Sequence, residues 1–224
     1  MSAAFKLKAL DNTSSAAEVD LKQILSSLQT ASWLHALVAR GFGWLVDVGA
    51  LDTPIVGGGN GTVLDLEQPE LAINVPSGYA MIPLRIHVEC QIGLQTTDAH
   101  ESQIMIGVDR TQIQTAGTST SETPMNLRTD ITATAPFTAF SAYTADGVAA
   151  PVVRELARKQ KVTDVQTAVG VNVYELDLLY EPLVPEIIIG PAHIAVYFGG
   201  DIAVPGFIQA KVIAVPSSLF TSLV

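Results

Sequence analysis

The sequence predicts an all-β protein, an antiparallel β-sandwich of eight or nine strands, and three observations carry that prediction. From Leu84 to Leu94, six apolar residues (Leu84, Ile86, Val88, Cys90, Ile92, Leu94) alternate without a fault with Arg85, His87, Glu89, Gln91 and Gly93. A period of two is what a strand with one face in a core and one face outside requires. Short apolar runs recur between residues 62 and 216, with Gly, Pro, Thr and Ser at nearly every junction, and that spacing indicates a sandwich or barrel. The composition agrees. A chain of 224 residues that is 48% hydrophobic and 15% charged can fill one core and lies far from the polar, highly charged make-up of disordered chains.

Residues 1–61 read as an N-terminal arm, partly helical, and residues 62–224 as the sandwich domain. In the arm, Leu21, Ile24, Leu25 and Leu28 recur at helical spacing between Ala17 and Leu28, with Ser14 or Ser15 as N-cap and Glu18 in the first turn. A second apolar segment, Trp33 to Val38, leads into Gly41, Gly43 and Trp44. Four glycines within Gly57–Gly61 then break regular structure and set the domain boundary. Beyond it, Val63–Glu67 and Leu71–Val75 form two short strands separated near Pro69, followed by the long alternation already described. Ile104, Ile106 and Val108 repeat the pattern after a turn region at Thr96 to His100. Gln114 to Thr138 reads as a surface excursion. Pro151 opens one short helix near 151–161, with Val152, Val153, Leu156 and Val162 as its apolar side. Val171 and Val173 then sit out of phase with Leu176, Leu178 and Tyr180, which predicts either a bulge or a strand buried on both faces. Ile187–Ile189, His193–Phe198 and Phe207–Val215 complete the set.

The charge balance narrows the function. Twelve basic residues against 22 acidic ones give a net charge of −10, which argues against direct binding of nucleic acid. The first thirty residues contribute only Lys6, Lys8 and Lys22. Cys90 stands alone, so neither an internal disulfide nor a cysteine zinc site is expected. The N-terminus has no leader-like apolar run, and no stretch approaches the roughly 20 apolar residues of a membrane span. A reducing compartment follows. The glycine cluster lacks the lysine of a phosphate loop, and His35, His87, His100 and His193 contain no pair spaced to aim two imidazoles at one metal. Glu175, Asp177, Glu181 and Glu186 are close enough in sequence to meet, as acids do by chance in a chain this rich in them. No residue is therefore assigned to catalysis, to a cofactor or to a metal, and an enzyme is not expected. One basic cluster breaks the acidic background: Arg154, Arg158, Lys159 and Lys161. On a helix, Arg154, Arg158 and Lys161 share one face suited to acids of a neighbouring copy.

The C-terminal run from Gly190 to Gly200 (GPAHIAVYFGG) and its continuation from Gly206 to Val212 (GFIQAKV) resemble the closing strands of small jelly-roll coat and cement proteins of icosahedral viruses and phages. The Thr-, Ser-, Ala- and Gly-rich turns are similar in style, and the resemblance covers about residues 62–216. It implies a jelly roll that works as a capsid shell subunit, either a major coat or a cement (decoration) protein, by self-assembly without catalysis. It further implies a homo-oligomer, often a trimer, in the virion after assembly in the host cytoplasm. Its partners would be copies of itself and, for a decoration protein, another capsid protein. Under that reading Trp33, Leu34, Leu37, Phe42 and Trp44 pack against a neighbour, as large aromatic and aliphatic anchors do, and Arg154, Arg158 and Lys161 dock its acids. The alternative is a carbohydrate- or receptor-binding sandwich of a phage tail or fibre, whose loops offer Phe137, Phe140 and Tyr143.

Overall fold

The computed structural model describes residues 33–50, 52–57, 64–92, 100–148, 151–163, 174–200 and 204–221. The helix expected over 17–28, the glycines at 58–61, most of the turn region at 96–100, and Val171 and Val173 lie outside these residues. In chain order the elements are α1 (Trp33–Ala39), β1 (Gly43–Val48), β2 (Ile55–Gly57), β3 (Leu71–Val75), β4 (Tyr79–Ile92), β5 (His100–Asp109), β6 (Thr118–Glu122) and β7 (Met125–Asn126). They continue with β8 (Ala139–Ala145), β9 (Val153–Thr163), β10 (Tyr174–Tyr180), β11 (Ile188–Ile189), β12 (Ala192–Gly200), β13 (Val204–Pro216) and α2 (Ser218–Thr221).

Two antiparallel sheets form a sandwich. One runs β10-β4-β13-β1-β7, with β11 also on β4 and β2 also on β13; the other runs β6-β8-β3-β12-β5-β9. Eight of these strands nest by sequence. The first pairs with the last (β1 with β13), then β3 pairs with β12, β4 with β10, and β5 with β9. This nesting of two Greek keys is the jelly roll. The excursion between β5 and β9 supplies β6, β7 and β8, which extend the edge of each sheet on the β1/β3 side.

Period-two patterning explains the core. Ile86, Val88 and Cys90 of β4 face Ile104, Ile106 and Val108 of β5, Ile194, Val196 and Phe198 of β12, and Ile208, Ala210 and Val212 of β13 within one buried cluster. β12 is buried along its whole length, because the loops at 64–70 and 110–117 cover its outer face. Tyr197 on that face is fully buried and donates its hydroxyl to the Leu66 carbonyl at 3.0 Å.

Three expectations are corrected. The sandwich starts before the glycine cluster: β1 and β2 hydrogen-bond to β13, so Gly43–Val48 and Ile55–Gly57 belong to the sheet, and the described residues hold thirteen strands. Residues 64–67 form a turn rather than a strand. There the Asp65 carboxylate accepts the Glu67 amide at 3.0 Å and the Asp65 carbonyl that of Gln68 at 3.3 Å, the local bonding with which Asp competes against a ladder.

The third correction concerns the helix expected at 151–161, which is strand β9, paired along β5. The register skips Leu156 between Ile106–Ala157 and Gly107–Glu155. Val153 faces the outer cluster of Met105, Ala195 and Tyr197 and Leu156 the main core, as residues three apart in a strand do. Apolar residues three apart, a helical signature, here lie on the two faces of a strand that carries one extra residue. Gly107 makes room for it, since a Cβ there would sit 2.3 Å from Val153 Cγ1 and 3.1 Å from the Arg154 carbonyl.

Candidate functional site

The five residues expected at the N-terminal interface divide between three places. Leu34, Leu37 and Phe42 pack, with Val38, on Ala80, Ile82, Ile213 and Val215, the apolar part of the outer face of the β4–β13 sheet. α1 thus caps its own subunit. Gly41, at φ 85°, ends the helix as a left-handed residue should, with the Phe42 amide returning to the Leu37 carbonyl at 3.1 Å. Asn126 and Arg128 side chains donate to the Gly41 and Ala39 carbonyls at 2.7 and 2.6 Å, fixing that end beside β1 and β7. Trp44 is corrected outright as an interface residue. It alternates inward with Val46 and Val48, is 4% exposed, and meets Phe137 edge to face at 6.0 Å. Trp33, half exposed, is the one of the five that faces solvent.

The basic cluster is also rearranged. On β9, successive residues project to opposite faces, so the single helical face does not exist. The Arg158 Nη2 donates to Met105 Sδ at 3.4 Å, and its Nε donates to Glu155 at 2.9 Å. Lys159 reaches across to the other sheet and pairs with Asp177 on β10 at 3.0 Å, holding that carboxyl below its ordinary range. Lys161 Nζ lies 3.5 Å from the Glu175 carbonyl, and Arg154 pairs with Glu186. Arg154, Lys159 and Lys161 thus join the edge strand β9 to β10 and the loop after it. A charged edge of this kind also resists strand addition.

The loop between β10 and β11 is Glu181-Pro182-Leu183-Val184-Pro185-Glu186, of which only the two acids stand out from the sequence. Leu183 is 99% exposed and Val184 81%. The prolines on either side restrict the backbone, and Glu186 at the base is clamped by Arg110, at 2.9 Å, and by Arg154. The result is an apolar tip on a fixed stem, a preorganised contact. Leu179, Ile187 and Ile189 beside it are exposed as well. A signal was present: two aliphatic residues framed by prolines in a segment with no period.

A buried polar row crosses the outer face of the second sheet. Asn74, His193 and Asp109 are register partners on β3, β12 and β5. Asn74 donates to the Gln114 carbonyl at 2.8 Å and accepts the Gln114 amide at 2.7 Å. Asp109 accepts bonds from the Thr111 amide and hydroxyl, from Gln112 and from the Val152 amide, at 2.6–3.1 Å. Burial pushes its carboxyl up, and those bonds outweigh the push and leave it below its usual range. His193 Nδ1 donates to the Gln112 carbonyl at 2.9 Å, which leaves Nε2 as an acceptor that finds no hydrogen-bond partner. Burial lowers the pKa of the imidazole, against weaker raising by Gln112 and Asp109. The row staples the 110–117 loop to the sheet.

Other groups lend themselves to structure too. The Cys90 thiol is buried and pushed far up, by desolvation first and then by Glu70 and Glu89, so thiolate chemistry is suppressed. Phe137 and Tyr143, aromatics that a sugar-binding loop would offer, are buried. The Tyr143 hydroxyl donates to the Thr115 carbonyl at 2.8 Å, and its pKa is pushed up to about 12 by burial, against a lowering bond from Ser119. Among the described residues, no group of three or more His, Cys, Asp or Glu is placed to hold a metal ion. No helix among them is long and apolar enough to cross a membrane. Comparison with protein-family models, with curated proteins and with solved structures finds no match.

Proposed function

We propose that this chain is a virion structural protein, a capsid shell subunit of the coat or cement kind, which acts by self-assembly in the host cytoplasm. The observation that carries the reading is the Leu183–Val184 tip. Two aliphatic side chains at 99% and 81% exposure, on a stem fixed by two prolines and a doubly paired glutamate, are costly to leave in water and well prepared to enter a neighbour. The jelly roll beneath supports it as a rigid antiparallel body of the sort used in shells. Fold alone carries no function, so the tip is the point to test. Light scattering after size exclusion, with electron microscopy of the same fractions, should show a trimer or a closed particle. Leu183→Ser with Val184→Ser should return it to a monomer whose far-ultraviolet circular dichroism is that of the wild type. A wild-type monomer of 23.7 kDa at high concentration would refute self-assembly, and binding to a glycan array would then favour the receptor-binding alternative.

A further inference from the structure

The segment 110–117 crosses the outer face of the second sheet, between β5 and β6, without joining a ladder. Among the described residues, its bonds to the body of the protein run through side chains. Asn74 on β3 pairs both backbone groups of Gln114, and Asp109 at the end of β5 accepts the Thr111 amide. The Tyr143 hydroxyl of β8 donates to the Thr115 carbonyl, and His193 on β12 donates to the Gln112 carbonyl. Gln114 is buried, whereas Thr111, Ile113, Thr115 and Ala116 are exposed. A segment held in this way opens at a lower cost than the sheets beneath it.

His193 is the anchor that responds to mild acid. Its ring is fully buried. Nδ1 is engaged with Gln112 at 2.9 Å, and Nε2 has no hydrogen-bond partner among the described residues. The charged group that faces the ring is Asp109, its register partner on β5. Both oxygens of that carboxylate are occupied, Oδ1 by the Thr111 amide and hydroxyl, Oδ2 by Gln112 and the Val152 amide. A proton arriving at Nε2 therefore finds no free acceptor while the segment is down, and a buried donor without an acceptor is costly. Lifting the segment admits water to Nε2. The other groups around the ring hold their charge as acid is added. β3 presents the neutral Asn74, Arg110 is turned onto Glu186, and burial raises the hydroxyls of Tyr143 on β8 and Tyr197 on β12. In Asp109 the upward push of burial is outweighed by the four hydrogen bonds, so the carboxylate stays charged.

We infer that residues 110–117 form an acid-released strap, latched through His193 and freed when Nε2 takes up a proton. Above about pH 6.5 the ring is neutral whether the strap is closed or open. Below it, the open form binds a proton that the closed form refuses, because burial lowers the pKa of the closed imidazole, against weaker raising by Gln112 and Asp109. The open fraction then rises about tenfold for each pH unit, until the pKa of the closed form is reached. Release bares the polar row of Asn74, His193 and Asp109 and leaves the core between the sheets intact. The inference stands apart from the shell reading and holds for a monomer as well.

The test is amide hydrogen exchange, read by nuclear magnetic resonance on the full chain from about pH 7 to about pH 5. Each rate is divided by that of an unstructured peptide at the same pH. The Gln114 amide, bonded to Asn74, reports the strap, and the amides of β4 and β13 report the sheets. Protection of Gln114 should not change in low urea, should lie at least about tenfold under that of the sheet amides, and should fall about tenfold per unit below about pH 6.5. His193→Gln keeps a donor for the Gln112 carbonyl and carries no titrating group, so it should abolish that slope. Equal protection of Gln114 and the sheets, with the same urea dependence, would mean that the segment opens only with the whole molecule and would overturn the inference. An unchanged slope in His193→Gln would do the same. The ring resonances of the wild type give a second reading that needs no variant. A ring that stays neutral in the closed form while protection falls supports the strap, and a ring that charges with the Gln114 amide still protected overturns it.

Discussion

Asn74→Ala offers the sharpest measure of how the 110–117 loop is attached. The Asn74 side chain imitates a strand, pairing both the amide and the carbonyl of Gln114, at 2.7 and 2.8 Å. Gln114 is 1% exposed, so water cannot replace the lost partner without opening the loop. Each buried backbone group left unpaired costs about 1–3 kcal/mol, giving about 2–6 kcal/mol for the two. With a urea slope of about 2 kcal/mol/M, the unfolding midpoint should fall by at least about 1 M. Asn74→Asp keeps the acceptor for the Gln114 amide but sets a carboxylate oxygen against the Gln114 carbonyl, so it should cost at least as much at neutral pH. Gln114→Ala leaves both backbone bonds in place and removes a side-chain nitrogen that has no hydrogen-bond partner, so it should cost clearly less than Asn74→Ala. If Asn74→Ala moved the midpoint by less than about 0.3 M, or if the order of the two variants were reversed, the stapling argument would fail.

Two other outcomes follow from burial. Trp44→Ala should cost about 3–5 kcal/mol in chemical denaturation, while Trp33→Ala should stay within about 0.5 kcal/mol; equal effects would mean that β1 does not turn Trp44 into the core. His193 should make stability fall with acid. Its folded pKa lies below the ordinary 6.5, so below that pH the unfolded chain takes up a proton that the folded protein refuses, and stability drops until the folded pKa is also passed. Unfolding midpoints measured from about pH 7 to about pH 5 should decline, and His193→Gln should flatten that part of the slope. An unchanged slope in the variant would contradict a buried neutral imidazole.

The legible parts of the fold were those where one strand face meets the core and the other meets water. β4 showed itself through Ile86, Val88 and Cys90 against Arg85, His87 and Glu89 for that reason. β9 hid because Val153 and Leu156 stand three apart, as on one helix face, although the strand turns them to opposite sides, and nothing local distinguishes the two. β1 carried a regular alternation of Trp44, Val46 and Val48, but the glycines at 57–61 looked like a domain border and separated it from β13, its partner at the far end of the chain. Residues 64–67 alternated like a strand and became a turn through the Asp65 side chain. The candidate site was harder still. Apolar residues give no sign of their own exposure, so only the framing prolines set Leu183 and Val184 apart from other short runs. The partners of Arg154 and Lys159 sit on β10 and the loop after it, brought near only by the sandwich.

The pairing of the first long strand with the last has a consequence for the life of the chain. Gly43 and Ile213 are register partners although they stand about 170 residues apart. β13 also lies between β1 and β4, the centre of its sheet. During synthesis that sheet lacks its middle until residues 204–216 have left the ribosome, and the earlier strands wait with open edges. Folding should accordingly be slow, since distant pairings must close before they stabilise anything, and early release or a nick before residue 204 should leave material prone to aggregate. Gly43–Val48 gains its inner neighbour in the sheet only when residues 204–216 have been made.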